Sequence, residues 1–204
     1  TGGENVAIGY QALKTEDGNG LNIAIGSEAL ENLNAGADAY NVAIGHNAGK
    51  NVTSGVQNTL IGGQAGDAIT DADFNVAVGH NALSVNVLGS KSVAIGHNAL
   101  LFQNPASTAD MHNLAVGHGA GAQITTGTQN TLIGALAGDA ADTGAANVAV
   151  GYQTLTADTK GQNNVAIGHN ALATQNFTSA TNSYNTAVGS QAGLVISTGI
   201  QNVL

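Results

Sequence analysis

A 17-residue repeat runs along almost the whole chain and constrains its fold more than any other feature. Units such as NVAIGYQAL from Asn5, NVAIGHNAG from Asn41 and NVAVGHNAL from Asn75 recur twelve times, and the last copy, NVL from Asn202, is truncated. Successive copies start 17 residues apart, except for three intervals of 19, 21 and 21 residues. Such a fixed period is typical of a solenoid, in which each repeat forms one coil, here termed a rung.

The columns of the repeat carry distinct chemistry. The first position is Asn in eleven of twelve copies, and the fifth is Gly in all eleven copies that reach it. Because side chains alternate along a strand, Val6 and Ile8 share one face while Asn5, Ala7 and Gly9 share the other. We expect the Val and Ile columns to form a hydrophobic ladder inside the coil, and the small face to pack against another chain. The Asn column fits a left-handed turn with amides hydrogen-bonded along the axis. The Gly column fits a bend where a Cβ would clash.

A longer period of four rungs is superimposed on the first. The ninth position runs Leu, Leu, Gly, Gly and then repeats, and the third position is Ala except at Leu60, Leu132 and Leu204. The long intervals always follow the second copy of each four. Residues 1–204 therefore form a single repetitive segment with super-repeats 5–74, 75–146 and 147–204. Because the last super-repeat breaks off in its fourth rung, we expect a piece of a longer fibre.

The repeat length predicts the fold class. Helical repeats need 33 or more residues, whereas four-residue apolar runs bounded by Gly and Asn are typical of strands. We predict an all-β, parallel β-solenoid or β-roll of about twelve rungs, with two strand-like stretches in each. If each rung advances by about 4.8 Å, the rod is roughly 55 Å long. So thin a coil buries little surface, which favours association of several rods.

Composition excludes several functions. The net charge is −9, with four lysines and no arginine, which argues against nucleic acid and anionic membrane surfaces as partners. No apolar run approaches the roughly 18 residues of a membrane span, so we expect no membrane insertion in this segment. The chain has no Cys, and Glu28 and Glu31 are neighbours that no other rung repeats. We therefore predict no catalytic residues, no enzymatic activity and no cofactor.

The repeat units resemble those of known fibres. NVAIGHNAL from Asn164 and NTAVGSQAG from Asn185 are similar to the YadA-like head repeats of trimeric autotransporter adhesins and to the 17-residue NTAIGYQAL-type repeats of bacteriophage tail fibres. The similarity extends from Asn5 to Leu204. It implies a left-handed parallel β-roll and a homotrimer that forms the shaft or head of an extracellular fibre, on a cell surface or a virion. It also implies attachment to a host-cell glycan or protein receptor. Bacterial and viral origins both remain open.

Five of the six histidines occupy the sixth position of the repeat. They are His46, His80, His97, His118 and His169. In a symmetric trimer this column could form imidazole rings that bind a metal or an anion. Because the same position also holds Tyr10, Ser27 and Gly63, we interpret it as a tolerant polar position and predict no metal site.

Carboxylates at the rung edges are the other candidate ligands. Asp67, Asp71 and Asp73 could bind calcium, as could Asp139 and Asp142. The calcium-binding nonapeptide of β-rolls is absent. Solvated turns are the preferred interpretation.

The three insertions are the best candidates for recognition. They read ENLNAGADAY, LFQNPASTADMH and TQNFTSATNSY, and they concentrate aromatic and amide side chains that suit stacking on, and hydrogen bonding to, sugars. The possible recognition residues are Tyr40, Phe102, Asn104, Asn176, Phe177 and Tyr184. The alternative is that these rings fill gaps where the rung is wider.

The whole sequence predicts a structural, adhesive fibre segment. A monomeric ligand-binding solenoid, such as an ice-binding protein, is the alternative, because such proteins also use flat faces on regular coils. They would be expected to carry an unbroken Thr column, whereas Thr59, Thr131 and Thr186 are isolated in theirs.

Overall fold

A computed structural model describes residues 3–16 and 20–204 as a β-solenoid of about eleven rungs. The predicted all-β fold with a parallel sheet is confirmed, and the described residues form no helix. Each complete repeat contributes one strand at its second to fourth positions. The eleven strands are β1 (Val6–Ile8), β2 (Ile23–Ile25), β3 (Val42–Ile44), β4 (Thr59–Ile61), β5 (Val76–Val78), β7 (Val93–Ile95), β9 (Leu114–Val116), β10 (Thr131–Ile133), β11 (Val148–Val150), β13 (Val165–Ile167) and β15 (Thr186–Val188).

Every strand pairs in parallel with the next one along the axis, in register with the repeat. Val42 lies opposite Thr59, and Ala43 lies opposite Leu60. The insertions do not disturb this register, since Ile23 still pairs with Val42 across a 19-residue interval. Each column of the repeat therefore becomes a straight row of side chains along the rod.

Among the residues that the structure describes, a second strand occurs only around two insertions. Two-residue strands β6 (Gly89–Ser90) and β8 (Ala109–Asp110) pair in parallel, as do β12 (Gly161–Gln162) and β14 (Thr181–Asn182). The prediction of two strand-like stretches in every rung is therefore wrong. The other rungs close through turns, whose backbone groups still bond between rungs, as where Leu30 N donates to Ala48 O at 3.1 Å.

The two faces of the strands are reversed relative to the sequence-based prediction. The Ala side chains of the third position, including Ala43 and Ala94, are fully buried inside the coil. The neighbouring Val and Ile side chains point outward, and Ile44 is 36% exposed. The reason is volume, because the coil is thin and Leu side chains from the ninth position already fill its interior. The expectation that the Ala and Gly face contacts another chain is therefore wrong.

The Asn column forms the predicted ladder of stacked amides. Asn58 N donates to Asn41 Oδ1 at 2.9 Å, and Asn58 Nδ2 donates to Ala72 O of its own rung at 2.9 Å. Each buried amide thus ties two rungs together and braces one of them. The left-handed backbone, however, belongs to the residue before the Asn, as in Tyr40 (φ 53°) and Gln57 (φ 57°). Its assignment to the Asn column was wrong.

The fifth-position Gly behaves as predicted. Gly45 has a φ of 138°, and a Cβ built on it would lie 2.5 Å from the carbonyl oxygen of Gly62 in the next rung. Since no side chain fits at that distance, the close stacking of rungs requires Gly in this column.

Candidate functional site: the outward face of the sheet

The most distinctive surface of the molecule is the outward side of the eleven-stranded sheet. We define the outward face as the second- and fourth-position side chains of the eleven strands. They are Val, Ile, Leu and Thr only, with no charged residue, and they are half-buried or exposed. In the first strand Ile8 is 59% exposed. Isolated apolar residues on a surface are ordinary, but an unbroken column of Ile and Val beside a second column that is interrupted only by three Thr is not.

The outward face is large enough to hold a protein partner. Eleven strands spaced about 4.8 Å apart give it a length of about 48 Å from the first strand to the last. A three-residue strand is about 10 Å long at 3.3 Å per residue, so the face covers roughly 500 Å², within the 300–600 Å² of the largest patch on a typical monomer. A stable interface buries about 800 Å² on each partner, so it would use this face together with the residues that flank it.

Exposed aromatic residues border the outward face. Tyr10 and Tyr152 follow it at the sixth position, and Tyr40, Phe74 and Tyr184 precede it at the corner before the Asn. Five of the seven aromatic residues of the chain thus surround this one surface instead of filling the core. Aromatic enrichment and charge depletion are the compositional signs of a protein–protein interface.

The His column lies along one border of the outward face. The rings of His80 and His97 stack with centroids 5.6 Å apart, those of His97 and His118 with centroids 5.2 Å apart, and that of His169 stacks on Tyr152 at 5.7 Å. Nearly parallel rings direct their nitrogen lone pairs side by side and not toward one point. A zinc site needs nitrogens that converge to about 2.0–2.1 Å from the ion. Across residues 3–16 and 20–204 no group of three or more His, Asp or Glu side chains is placed to hold a metal.

The candidate calcium ligands are hydrogen-bonded to neighbouring rungs. Asp67 Oδ1 accepts from Ser84 Oγ at 2.7 Å, and Asp71 Oδ1 accepts from Ser54 Oγ at 2.6 Å. The remaining carboxylates also accept hydrogen bonds from neighbouring rungs: Asp73 from Val56 N, Asp139 from Thr156 Oγ1, and Asp142 from Thr125 Oγ1. These side chains therefore work as links between rungs.

Glu28 and Glu31 belong to an ion-pair network across the first three rungs. Lys50 Nζ lies 2.5 Å from Glu28 Oε2 and 3.6 Å from Glu31 Oε2, and Lys14 Nζ lies 3.1 Å from Glu31 Oε1. The hydrogen bond from Lys50 lowers the pKa of Glu28, and the reciprocal contact raises the pKa of Lys50. The network accounts for both glutamates as links between rungs.

The six predicted recognition residues do not converge on one site. They lie on rungs two, six and ten, which are separated by about 19 Å at four strand spacings each. Asn104 and Asn176 are exposed, but their amide oxygens accept hydrogen bonds from Val87 N and Thr159 Oγ1 of the preceding rungs. The rings of Tyr40, Phe102 and Tyr184 are exposed.

Phe177 differs from the other five, since it is only 7% exposed. Its backbone N donates to Asp158 Oδ1 at 3.2 Å, and its carbonyl accepts from Thr159 Oγ1 at 2.9 Å. The ring fits the alternative interpretation, in which an aromatic side chain fills a gap in a wide rung.

Sequence reasoning missed the outward face, although a signal for it was present. No repeat carries a charged residue at its second or fourth position. A solvated face of a solenoid normally tolerates charge, so two charge-free columns outside a coil already filled by Ala and Leu indicate an interface.

No protein-family model, no curated protein and no solved structure matches this chain. None of its described residues belongs to a helix that is long and apolar enough to cross a membrane.

Proposed function

We propose that the chain is a shaft or head segment of an extracellular, homotrimeric fibre, of the kind found in bacterial adhesins and bacteriophage tail fibres, that mediates attachment to a cell surface. The observation that carries this proposal is the outward face, which is apolar, free of charge and bordered by exposed aromatic rings. The resemblance of the repeat units supplies the trimer and its left-handed coil.

In this assembly three copies turn their outward faces toward a common axis. Burying the Val and Ile columns there supplies the hydrophobic stabilisation that a thin coil lacks. The Asn ladder and the inter-rung backbone hydrogen bonds run parallel to that axis, so the rod resists both bending and stretching. The acidic residues remain on the outer sides, where a net charge of −9 for each chain keeps neighbouring fibres apart.

Attachment is assigned to the insertions. Phe102, Asn104 and Asn176 are exposed at rungs six and ten, away from the outward face. Three copies of a chain with such sites would contact a glycan or protein receptor many times. Many weak contacts on one rod then bind strongly through avidity.

The ice-binding alternative has less support. Thr occupies the second position in only three of the eleven strands, at Thr59, Thr131 and Thr186, and these strands are not adjacent. A monomeric solenoid would also leave the whole apolar face in contact with water.

Two neighbouring substitutions test the proposal. Ile95→Asp places a charge on the outward face, and Ala94→Asp places the same charge inside the coil. We expect the Ile95 variant to keep its β-structure by circular dichroism but to assemble more weakly than the parent chain by light scattering, and the Ala94 variant to be unfolded. An Ile95 variant that keeps the oligomeric state of the parent chain would contradict the proposal.

A further inference from the structure

The outward face repeats so evenly that it defines axial register poorly. Its fourth position is Ile or Val in every strand, and its second position is Val or Ile in most. If one copy shifted along its neighbour by one rung, or about 4.8 Å, Val and Ile would still meet Val and Ile. Only one of eleven strands would lose its apolar contact. A feature with a longer period must therefore distinguish the correct alignment from its neighbours.

One set of exposed rings has the longer period. Tyr40, His112 and Tyr184 occupy equivalent places in the three super-repeats, 72 residues apart, at the corner before the third rung. All three are exposed and border the outward face. Four strand spacings separate them, which is about 19 Å along the rod.

The same corner in the other rungs provides a comparison within one chain. Before the fourth rung of each super-repeat it is always Gln, at Gln57, Gln129 and Gln201. Before the first rung it varies widely, as Glu4, Phe74 and Ala146, and before the second rung as Leu21, Lys91 and Asn163. A ring is thus repeated at one corner in four, while two other corners accept unrelated side chains.

The backbone at this corner does not favour a ring. Tyr40, His112 and Tyr184 have φ of 53°, 52° and 49°, in the left-handed region that Gly and Asn adopt at lower cost. Tyr40 is 53% exposed, so its ring gains little from its own coil. A bulky side chain kept in an unfavourable conformation with about half of its surface exposed indicates a contact outside the chain.

We infer that Tyr40, His112 and Tyr184 pack against the neighbouring copy of this chain and fix the axial register of the fibre. A shift of one or three rungs would move every ring to a corner that lacks one, and a shift of two rungs would match a ring only at Phe74. A shift of four rungs restores the match but exposes four of the eleven strands. The inference rests on the proposed function, because it requires the chain to assemble through its outward face.

Photo-crosslinking tests the contact and the register together. Tyr40 is replaced by p-benzoylphenylalanine, and chains with natural-abundance nitrogen and with ¹⁵N are refolded together so that mass spectrometry separates intermolecular from internal products. We expect intermolecular products confined to a single rung of the neighbour. In a His112→Ala/Tyr184→Ala background we expect them to spread over adjacent rungs, whereas the matched Gln129→Ala/Gln201→Ala background should keep them confined.

Internal products alone would overturn the inference, and so would equal distributions in the two alanine backgrounds. Equal distributions would also be observed if the rings bound a receptor instead of the neighbouring copy. Light scattering on the same samples distinguishes failure of the register role from failure of the proposed function. An oligomer with an unchanged crosslinking pattern refutes only the register role, whereas a monomer refutes the assembly itself.

Discussion

Leu60 fills the space that a side chain at Gly66 would occupy. A Cβ built on Gly66 would lie 2.8 Å from Leu60 Cδ2, and one built on Gly49 would lie 2.7 Å from Leu60 Cδ1. Leu60 is fully buried and replaces the usual Ala of the third position. One enlarged residue is thus matched by two missing side chains, in its own rung and in the rung before. The same relationship holds for Leu132 with its two ninth-position glycines. The super-repeat is therefore a packing pattern within the core.

Gly66→Ala should destabilise the solenoid by about 1–3 kcal/mol, because the added methyl overpacks the core and the backbone there is left-handed. In a Leu60→Ala background the Gly66→Ala substitution should cost less than in the parent chain, since the side chain that the methyl meets is absent. Urea unfolding measures both values. The control is Gly36→Ala, where φ is 73° but no atom lies within 4 Å of the added Cβ. Equal losses at Gly36 and Gly66 would show that conformational strain, and not packing, explains the glycines.

Asp158→Asn should cost about 1–3 kcal/mol, because it leaves a buried donor without an acceptor. Asp158 is 4% exposed, and its Oδ2 accepts from Gln175 Nε2 at 2.5 Å while its Oδ1 accepts from Gly161 N at 3.0 Å. The equivalent position of another super-repeat shows the effect of an Asn at this place. In the preceding super-repeat Asn86 replaces the Asp, and the Nε2 of buried Gln103 has no hydrogen-bond partner among the described residues.

The control for that substitution is Asp142→Asn. Asp142 is half-buried, and its Oδ1 accepts from Thr125 Oγ1, which an Asn oxygen can also do. Its unfolding midpoint should remain close to that of the parent chain. A larger loss at Asp142 than at Asp158 would contradict the hydrogen-bond assignment.

Lys50→Met should remove a stabilisation that depends on pH. Folding lowers the pKa of Glu28 below its ordinary value of 4.5, chiefly through the hydrogen bond from Lys50. The contribution is therefore present above that ordinary value and is lost as the pH falls through the folded-state pKa. The difference in melting temperature between parent and variant should be constant from about pH 6 to pH 9 and should shrink in acid.

The effect should be small and should weaken in salt, because the pair is solvated. Lys160→Met is the control, since Lys160 forms no ion pair with any residue that the structure describes. A Lys50 difference that persists unchanged in strong acid would rule out the ion pair as its cause.

Phe177→Ala and Phe102→Ala should behave in opposite ways. Phe177 is buried, so truncating it should cost about 3–5 kcal/mol, whereas Phe102 is 40% exposed and should cost less than about 1 kcal/mol. Thermal unfolding measures stability, and binding of fluorescent, multivalent particles that carry the chain to candidate host cells measures attachment. We expect the Phe102 variant alone to lose attachment without losing stability. Attachment that survives Phe102→Ala would exclude that ring from recognition.

The sequence predicts the rung well because its strongest constraints act between equivalent residues of neighbouring rungs. Gly45 must be Gly because the next rung lies against it, and Asn41 must bond to Asn58 because identical residues are stacked at one spacing. The rule that large apolar residues lie inside does not predict which side chains of each strand point into the coil. That rule assumes one chain with one core. Here Ala43 lies inside because the coil is thin, and Ile44 lies outside.

The candidate site was harder to predict for the same reason. Tyr40 and Tyr184 were singled out as residues of the insertions, yet their place beside the outward face follows only from the three-dimensional arrangement. Phe177 shares the composition of an exposed insertion, but its ring is buried in the coil. Which rings of a wide rung turn inward depends on packing that composition does not encode.

The mass of the chain in solution tests the central claim most directly. Light scattering after size-exclusion chromatography, over a range of protein concentrations, should give three times the chain mass of 20.1 kDa. That result is expected if copies of the same chain cover the apolar outward face. A stable, soluble species of 20.1 kDa at every concentration would contradict it, because the Val and Ile columns would then be exposed to water without a partner.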